Sequence, residues 1–182
     1  MEKNKRIKTR QLALIGVIAA VICILGPLSL PIGIVPISLT NLAIYFAIYA
    51  LGRKRGTLSY IVYLFIGLVG LPVFSGFSGG FPKLFGPTGG YLIGFILMAF
   101  ISGIFIDKFP SKIYMCFLGM VLGTIITYIL GTTWLAYEAH MGFNKALAVG
   151  VLPFIPGDIA KIIIASLIGP QIKKRLIAAG LY

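Results

Sequence analysis

Two ionisable residues stand three positions apart in "FIPGDIAKIII" (residues 154–164), inside one of the most apolar stretches of the chain. The i to i+3 spacing of Asp158 and Lys161 places both on one face of a helix. An ionised side chain at membrane depth costs at least ~2.5–3.5 kcal/mol, so such residues persist where they face each other or a cavity. The pair therefore reads in two ways. It can be a self-satisfied ion pair that pins the helix, or a ligand-binding pair in which the carboxylate accepts from a small polar molecule and the ammonium donates to it. Pro156 and Gly157, just before the pair, suit a helix start, whose free N–H groups can also receive an anion.

A second stretch asks for a use. In "LPVFSGFSGGFPKLFGPTGGY" (residues 71–91), nine of the nineteen residues from Pro72 to Gly90 are Gly or Pro. Glycine lets backbone approach a ligand and adopt positive φ, so this loop can offer N–H donors with little side-chain bulk. Phe74, Phe77, Phe81, Phe85 and Tyr91 can supply apolar walls, since small-molecule pockets are mostly apolar with a few placed polar groups. An interfacial loop anchored by its aromatics at the lipid headgroups is the equal alternative.

Other chemistry finds little support. His140 is the single histidine; with Glu138 beside it, it reads as a solvated helix end. No second His or Cys lies in the same segment to build a metal site or a catalytic triad. Cys23 and Cys116 both fall in apolar segments, without a C-x-x-C pattern, and read as small hydrophobes. A G-x-x-x-x-G-K-[ST] sequence is absent, so uphill movement of a solute needs a partner or an ion gradient.

The elements that position these residues follow from composition. The chain has 182 residues, of which 59% are hydrophobic and 11% charged. With a mean hydropathy of +1.03 it is an integral membrane protein. Long unbroken apolar runs, without barrel alternation, make the spans helical. The expectation is an all-α membrane protein of one domain over residues 1–182. Its six transmembrane helices fall at about 11–28, 36–52, 56–71, 88–106, 113–137 and 151–172, and a Gly/Pro-rich extracellular ligand loop runs over 72–90.

Thirteen of the sixteen Lys and Arg residues fall on one side of that arrangement: five at the N-terminus, three at Arg53–Arg55, two at Lys108 and Lys112, and three at Lys173–Arg175. Lys83 and Lys145 fall on the other side, and Lys161 within the last span. The bias predicts cytoplasmic N- and C-termini and an outward-facing loop. It also explains the net charge of +12, so no nucleic-acid partner is implied. The N-terminal apolar run exceeds a signal-peptide core of about 7–15 residues and has no A-x-A site after it, so it reads as a retained first helix.

"GLPVFSGFSGGFPKLFGPTGGY" (Gly70–Tyr91), "FIPGDIAK" (Phe154–Lys161), "VPISLTN" (Val35–Asn41) and "GTTWLA" (Gly131–Ala136) together resemble the BioY family, the biotin-specific substrate-binding (S) components of energy-coupling factor (ECF) transporters. The resemblance implies the ECF S-component fold in a prokaryotic cell membrane. It implies a biotin pocket open to the outside, no enzymatic activity and no cofactor, biotin being the transported ligand. The partners it implies are a transmembrane coupling subunit, two ATPase subunits and the lipid bilayer.

Substrate-binding residues implied in the same way are Asp158, Lys161, Ser78, Gly79, Gly80, Tyr91, Thr40, Asn41 and Trp134. Asp158 would accept a ureido N–H and Lys161 donate to a ligand oxygen, ureido or carboxylate. Ser78, Thr40 and Leu92 depart from the Asn, Gln and Arg found there in some members; a shorter hydroxyl with a water can cover such a loss. Members of this transporter class dock the coupling subunit with small residues on the first helix. Ala13, Gly16 and Ala20 fit that pattern, with packing inside the monomer as the alternative.

Overall fold

The computed structural model describes residues 2–31 and 34–180, with side chains from Thr9 onward. The basic side chains of Lys3, Lys5, Arg6 and Lys8, and Ile32 and Gly33 in the expected break after the first helix, lie outside the described residues. The chain is an all-α membrane protein with one minor addition. In order it runs α1 (Glu2–Leu25), β1 (Ser29–Leu30), β2 (Ile37–Ser38), α2 (Thr40–Leu68), α3 (Phe81–Phe85), α4 (Gly89–Lys108), α5 (Ile113–Glu138), α6 (Phe143–Gly150) and α7 (Ile155–Ala178).

α2 is two helical arms rather than one rod. Gly52, at φ 76° and ψ 174°, breaks the helix. A Cβ on Gly56 would lie 2.9 Å from the Ile48 Cα. A straight helix would hold those residues about 12 Å apart, so the arms fold back on each other and Arg53, Lys54 and Arg55 form the tip. With the arms counted separately, six long helical segments make up the body. α4, α5 and α7 are each long and apolar enough to cross a membrane by length and composition.

α2 sits at the centre, packed by α1, α4 and α7, while α5 packs on α4, α6 and α7. Its Tyr45, Tyr49, Tyr60 and Tyr63 side chains are fully buried. Close crossings rest on glycine: a Cβ on Gly131 of α5 would stand 2.2 Å from the Tyr91 ring of α4, and one on Gly169 of α7 would stand 2.2 Å from the Tyr49 ring. The outer surface is apolar. On α7 the buried face carries Asp158, Lys161, Ile162, Ala165 and Ser166, whereas Ile159, Ile163, Leu167 and Ile168 point outward. That inside-out pattern is the one a helix adopts when lipid, not water, is outside.

The two ends of the body differ. At one end the Arg53 N–H donates to Asp107 Oδ2 at 2.9 Å, Lys173 Nζ lies 3.9 Å from Asp107 Oδ1, and the Arg53 guanidinium stacks 4.8 Å above the Phe100 ring. The first turns of α2, α4 and α7 all lie at the other end, about 30 Å away along the 20 residues of α4.

α1 buries Ile15, Ala19 and Ile22, at helical spacing, against the rest of the chain. Ala13, Gly16 and Ala20 lie on its exposed side, and a Cβ on Gly16 would meet nothing within 4 Å.

The glycine-rich loop is folded on itself. Phe74 is fully buried and packs edge-on against Tyr63, with ring centroids 5.5 Å apart, where a Cβ on Gly67 would lie 2.2 Å from its ring. Phe74 and Ser78 pair through both backbone N–H groups, the Gly76 N–H donates to the Pro27 carbonyl and the Gly80 N–H to the Gly67 carbonyl. Gly76 and Gly80 adopt φ values of +73° and +83° that close these turns.

Candidate ligand-binding site

The first turn of α7 begins after Phe154 because Pro156 occupies an early helical position, where its missing N–H costs nothing. This brings Asp158 and Lys161 to face the N-terminal end of α2 and the middle of α5. Asp158 Oδ1 accepts from Asn41 Nδ2 at 2.8 Å and from Lys161 Nζ at 3.0 Å, and Oδ2 accepts from the Tyr128 hydroxyl at 2.6 Å. Lys161 Nζ also donates to the Ser38 carbonyl at 2.7 Å. The short β pair fixes that carbonyl by placing Ser38 opposite Ser29. Asn41 is oriented in turn by its Oδ1, which accepts the Leu42 N–H at 3.1 Å.

The pair lines a pocket enclosing about 650 Å³ of empty space, part of it open to solvent. Apolar walls come from Val35, Pro36, Leu92, Phe95 and Phe154, with Tyr91 among them. Most hydroxyls around it are already engaged. Thr124 and Thr127 donate to the carbonyls of Met120 and Gly123 in their own helix at 2.8 and 3.1 Å. Tyr91 donates to the Gly150 carbonyl at 3.0 Å. Next to the pocket, the buried Tyr45 hydroxyl lies 2.6 Å from Thr124 Oγ1 and 3.3 Å from Met98 Sδ. What remains for a ligand includes the spare acceptor capacity of Asp158 Oδ2, the third N–H of Lys161, the second N–H of Asn41 and the hydroxyls of Ser75 and Thr88 on the lining.

Of the residues singled out from sequence, the structure brings Asp158, Lys161, Thr40, Asn41 and Tyr91 together around this pocket. It places Ser78, Gly79, Gly80 and Trp134 off the lining. Ser78 Oγ donates to the Ser75 carbonyl at 2.8 Å within the loop, and Ser75 is the loop residue that reaches the pocket. A Cβ on Gly79 would lie 2.3 Å from the Leu71 carbonyl oxygen. Trp134 Nε1 donates to the Gly86 carbonyl at 2.9 Å and ties the end of the loop to α5. Sequence reasoning missed Tyr128, Ser38 and Thr124. The stripe Thr124, Thr127, Tyr128, Gly131 in α5 has the helical spacing of an inward face and was the available signal for two of them. Among the described residues no three His, Cys, Asp or Glu side chains gather where they could hold a metal ion.

The family model described as the BioY family matches residues 1–178. The chain belongs to the BioY family. Among BioY relatives, it is 41% identical to a biotin transporter BioY of Thermotoga maritima over 165 residues, covering 91% of this chain and 96% of that one. It is 37% identical to a probable biotin transporter BioY of Pyrococcus horikoshii, over 91% of this chain and 98% of that one. Its fold is similar to that of a crystal structure of the S-component for biotin from an ECF-type ABC transporter. The TM-score is 0.85 at 34% identity, over 96% of this chain and 95% of that one.

Proposed function

We propose that this BioY chain captures biotin in the pocket beside α7 and serves as the substrate-binding component of an ECF transporter, not as an enzyme. The observation that carries the reading is the Asp158–Lys161 pair, held 3.0 Å apart and presented to a largely apolar pocket. The ureido group of biotin carries N–H donors beside a carbonyl acceptor, which suits a carboxylate beside an ammonium. Its fused rings are apolar, which suits walls such as Phe95 and Phe154. Asp158 accepts a ureido N–H, Lys161 donates to a ligand oxygen, and Asn41, Tyr128 and Thr40 complete the polar side. Tyr91 closes the apolar side, while Ser78, Gly79, Gly80 and Trp134 shape the loop. Biotin is cargo, and no cofactor is called for.

In this reading the chain crosses a prokaryotic cell membrane six times, with both termini and the Arg53–Lys173 end cytoplasmic and the pocket facing out. The exposed small residues Ala13, Gly16 and Ala20 of α1 dock a transmembrane coupling subunit, and two ATPase subunits supply the energy. The test is titration of the detergent-purified chain with biotin, using lipoate and desthiobiotin as competitors. Saturable biotin binding at one site supports the reading. Absence of binding, with the protein folded by its thermal melt, refutes it.

A further inference from the structure

The pocket has no net charge. Among the described residues lining it, Asp158 and Lys161 are the only acidic or basic side chains, and each is engaged by the other. Biotin is an anion, so its tail carboxylate arrives without a counter-charge. The helix starts beside the pocket carry no formal charge, and those of α4 and α7 are partly spent. In the first turn of α4, which fronts the pocket at Thr88, the Gly89 N–H donates to the Gly86 carbonyl, and the Tyr91 and Leu92 N–H groups to the Thr88 carbonyl. The first turn of α7 holds Asp158 itself. The two other cations at this end are off the lining: Lys145 is exposed on α6, and Lys83 is half-buried on α3. Burying a carboxylate in a neutral, mostly apolar pocket is costly, and part of the pocket is open to solvent.

Resting on the biotin assignment above, we infer that the chain recognises the ureido ring system and leaves the tail carboxyl in water at the pocket mouth. Its ligands therefore include biotin capped at that carboxyl as a neutral amide. The substrate class is widened to biotin conjugated to an amine, including biotin joined to the side chain of lysine, the form in which biotin is released when biotin-carrying proteins are degraded. Neutral donors on the lining, such as the Thr88 hydroxyl, serve an amide carbonyl as well as a carboxylate.

The test compares biotin, biotinamide and Nε-biotinyl-lysine on the detergent-purified full chain by calorimetry, and repeats the series on Lys83→Met. The expected result is a Kd for each amide within about threefold of that for biotin, unchanged in Lys83→Met. A loss of thirtyfold or more for both amides, with biotin binding intact, overturns the inference while leaving the biotin assignment standing. Selective weakening of biotin, but not of the amides, in Lys83→Met also overturns it, by making Lys83 the reader of the carboxylate. If none of the three ligands binds, the biotin assignment falls and this inference with it.

Discussion

Replacing Asp158 by Asn tests whether the Asp158–Lys161 pair holds a ligand or only itself. The amide is the same size, and the existing contacts fix how it sits. Its oxygen stays at the Oδ1 position, where two donors, Asn41 and Lys161, converge at 2.8 and 3.0 Å. Its NH₂ takes the Oδ2 position, and the Tyr128 hydroxyl turns from donor to acceptor. The fold therefore keeps its hydrogen bonds, while Lys161 loses its counter-charge and keeps the Ser38 carbonyl at 2.7 Å.

Removing one member of a buried pair costs up to ~3–5 kcal/mol. Here the lower end applies, because the pair lines a pocket that water enters and both side chains retain about a tenth of their exposure. For the ligand the loss is specific: the spare acceptor on Oδ2 becomes a donor facing a ureido N–H. A hydrogen bond to a charged group contributes ~1.5–3 kcal/mol, which at ~1.4 kcal/mol per decade is roughly ten- to more than a hundredfold in Kd.

Lys161→Met is expected to weaken binding over the same range, and the double variant Asp158→Asn/Lys161→Met restores neutrality and with it part of the lost melting temperature. The assay is biotin titration beside a thermal melt in the same detergent. A double variant that folds and does not bind supports the site; one that folds and binds with near-native affinity refutes the reasoning.

Three further outcomes are expected. Single cysteines at Lys83 or Lys145 label with an impermeant maleimide on intact cells, and those at Lys54 or Lys174 only after permeabilisation; a cytoplasmic Lys83 would remove the outward pocket. Gly16→Leu or Ala20→Leu abolishes uptake in cells that carry the coupling subunits and leaves biotin binding by the isolated chain intact, because both residues lie on the exposed side of α1; equal loss of both activities would point to misfolding. Gly67→Ala drives a methyl to within 2.2 Å of the Phe74 ring, an overpacking that costs about 1–3 kcal/mol. It lowers the melting temperature and speeds biotin release by loosening the loop, and an unchanged melt would show that Phe74 does not anchor it.

The parts of this molecule that were legible in the sequence are those written in charge. Asp158 and Lys161 stand out because ionisable residues are rare in apolar helices, and Arg53–Arg55 mark the tip of the α2 hairpin, where Gly52 breaks the helix. The glycines of residues 76–80 were harder to read. Composition says that backbone there is free of side chains, but not for what purpose. In the structure the freedom goes into closing turns around Phe74 and into passing Leu71, and Ser75 is the residue that reaches the pocket. Tyr128 escaped notice for the opposite reason. A tyrosine in an apolar helix is ordinary, and only the three-dimensional crossing of α5 with α7 puts its hydroxyl 2.6 Å from Asp158. Short elements were equally invisible: β1, β2, α3 and α6 are too brief for a periodic signal, yet the β pair fixes the carbonyl that holds Lys161.

The polar side of the pocket is held together by the protein's own hydrogen bonds, and this bears on both capture and release. Asp158 and Lys161 take their orientation from Asn41 on α2, Tyr128 on α5 and the Ser38 carbonyl on β2, so binding orders few side chains and loses little of its free energy to that ordering. The same arrangement makes the site sensitive to relative movement, because its donors and acceptors come from three different parts of the fold. Hydrogen bonds weaken steeply with misalignment, so a shift of α2 against α7 by an ångström or two would separate Asn41 and Ser38 from the pair together. α1 packs along α2 through Ile15, Ala19 and Ile22. A subunit docked on the opposite, exposed side of α1 therefore has a mechanical route to Asn41 and Ser38 that does not require it to touch the pocket.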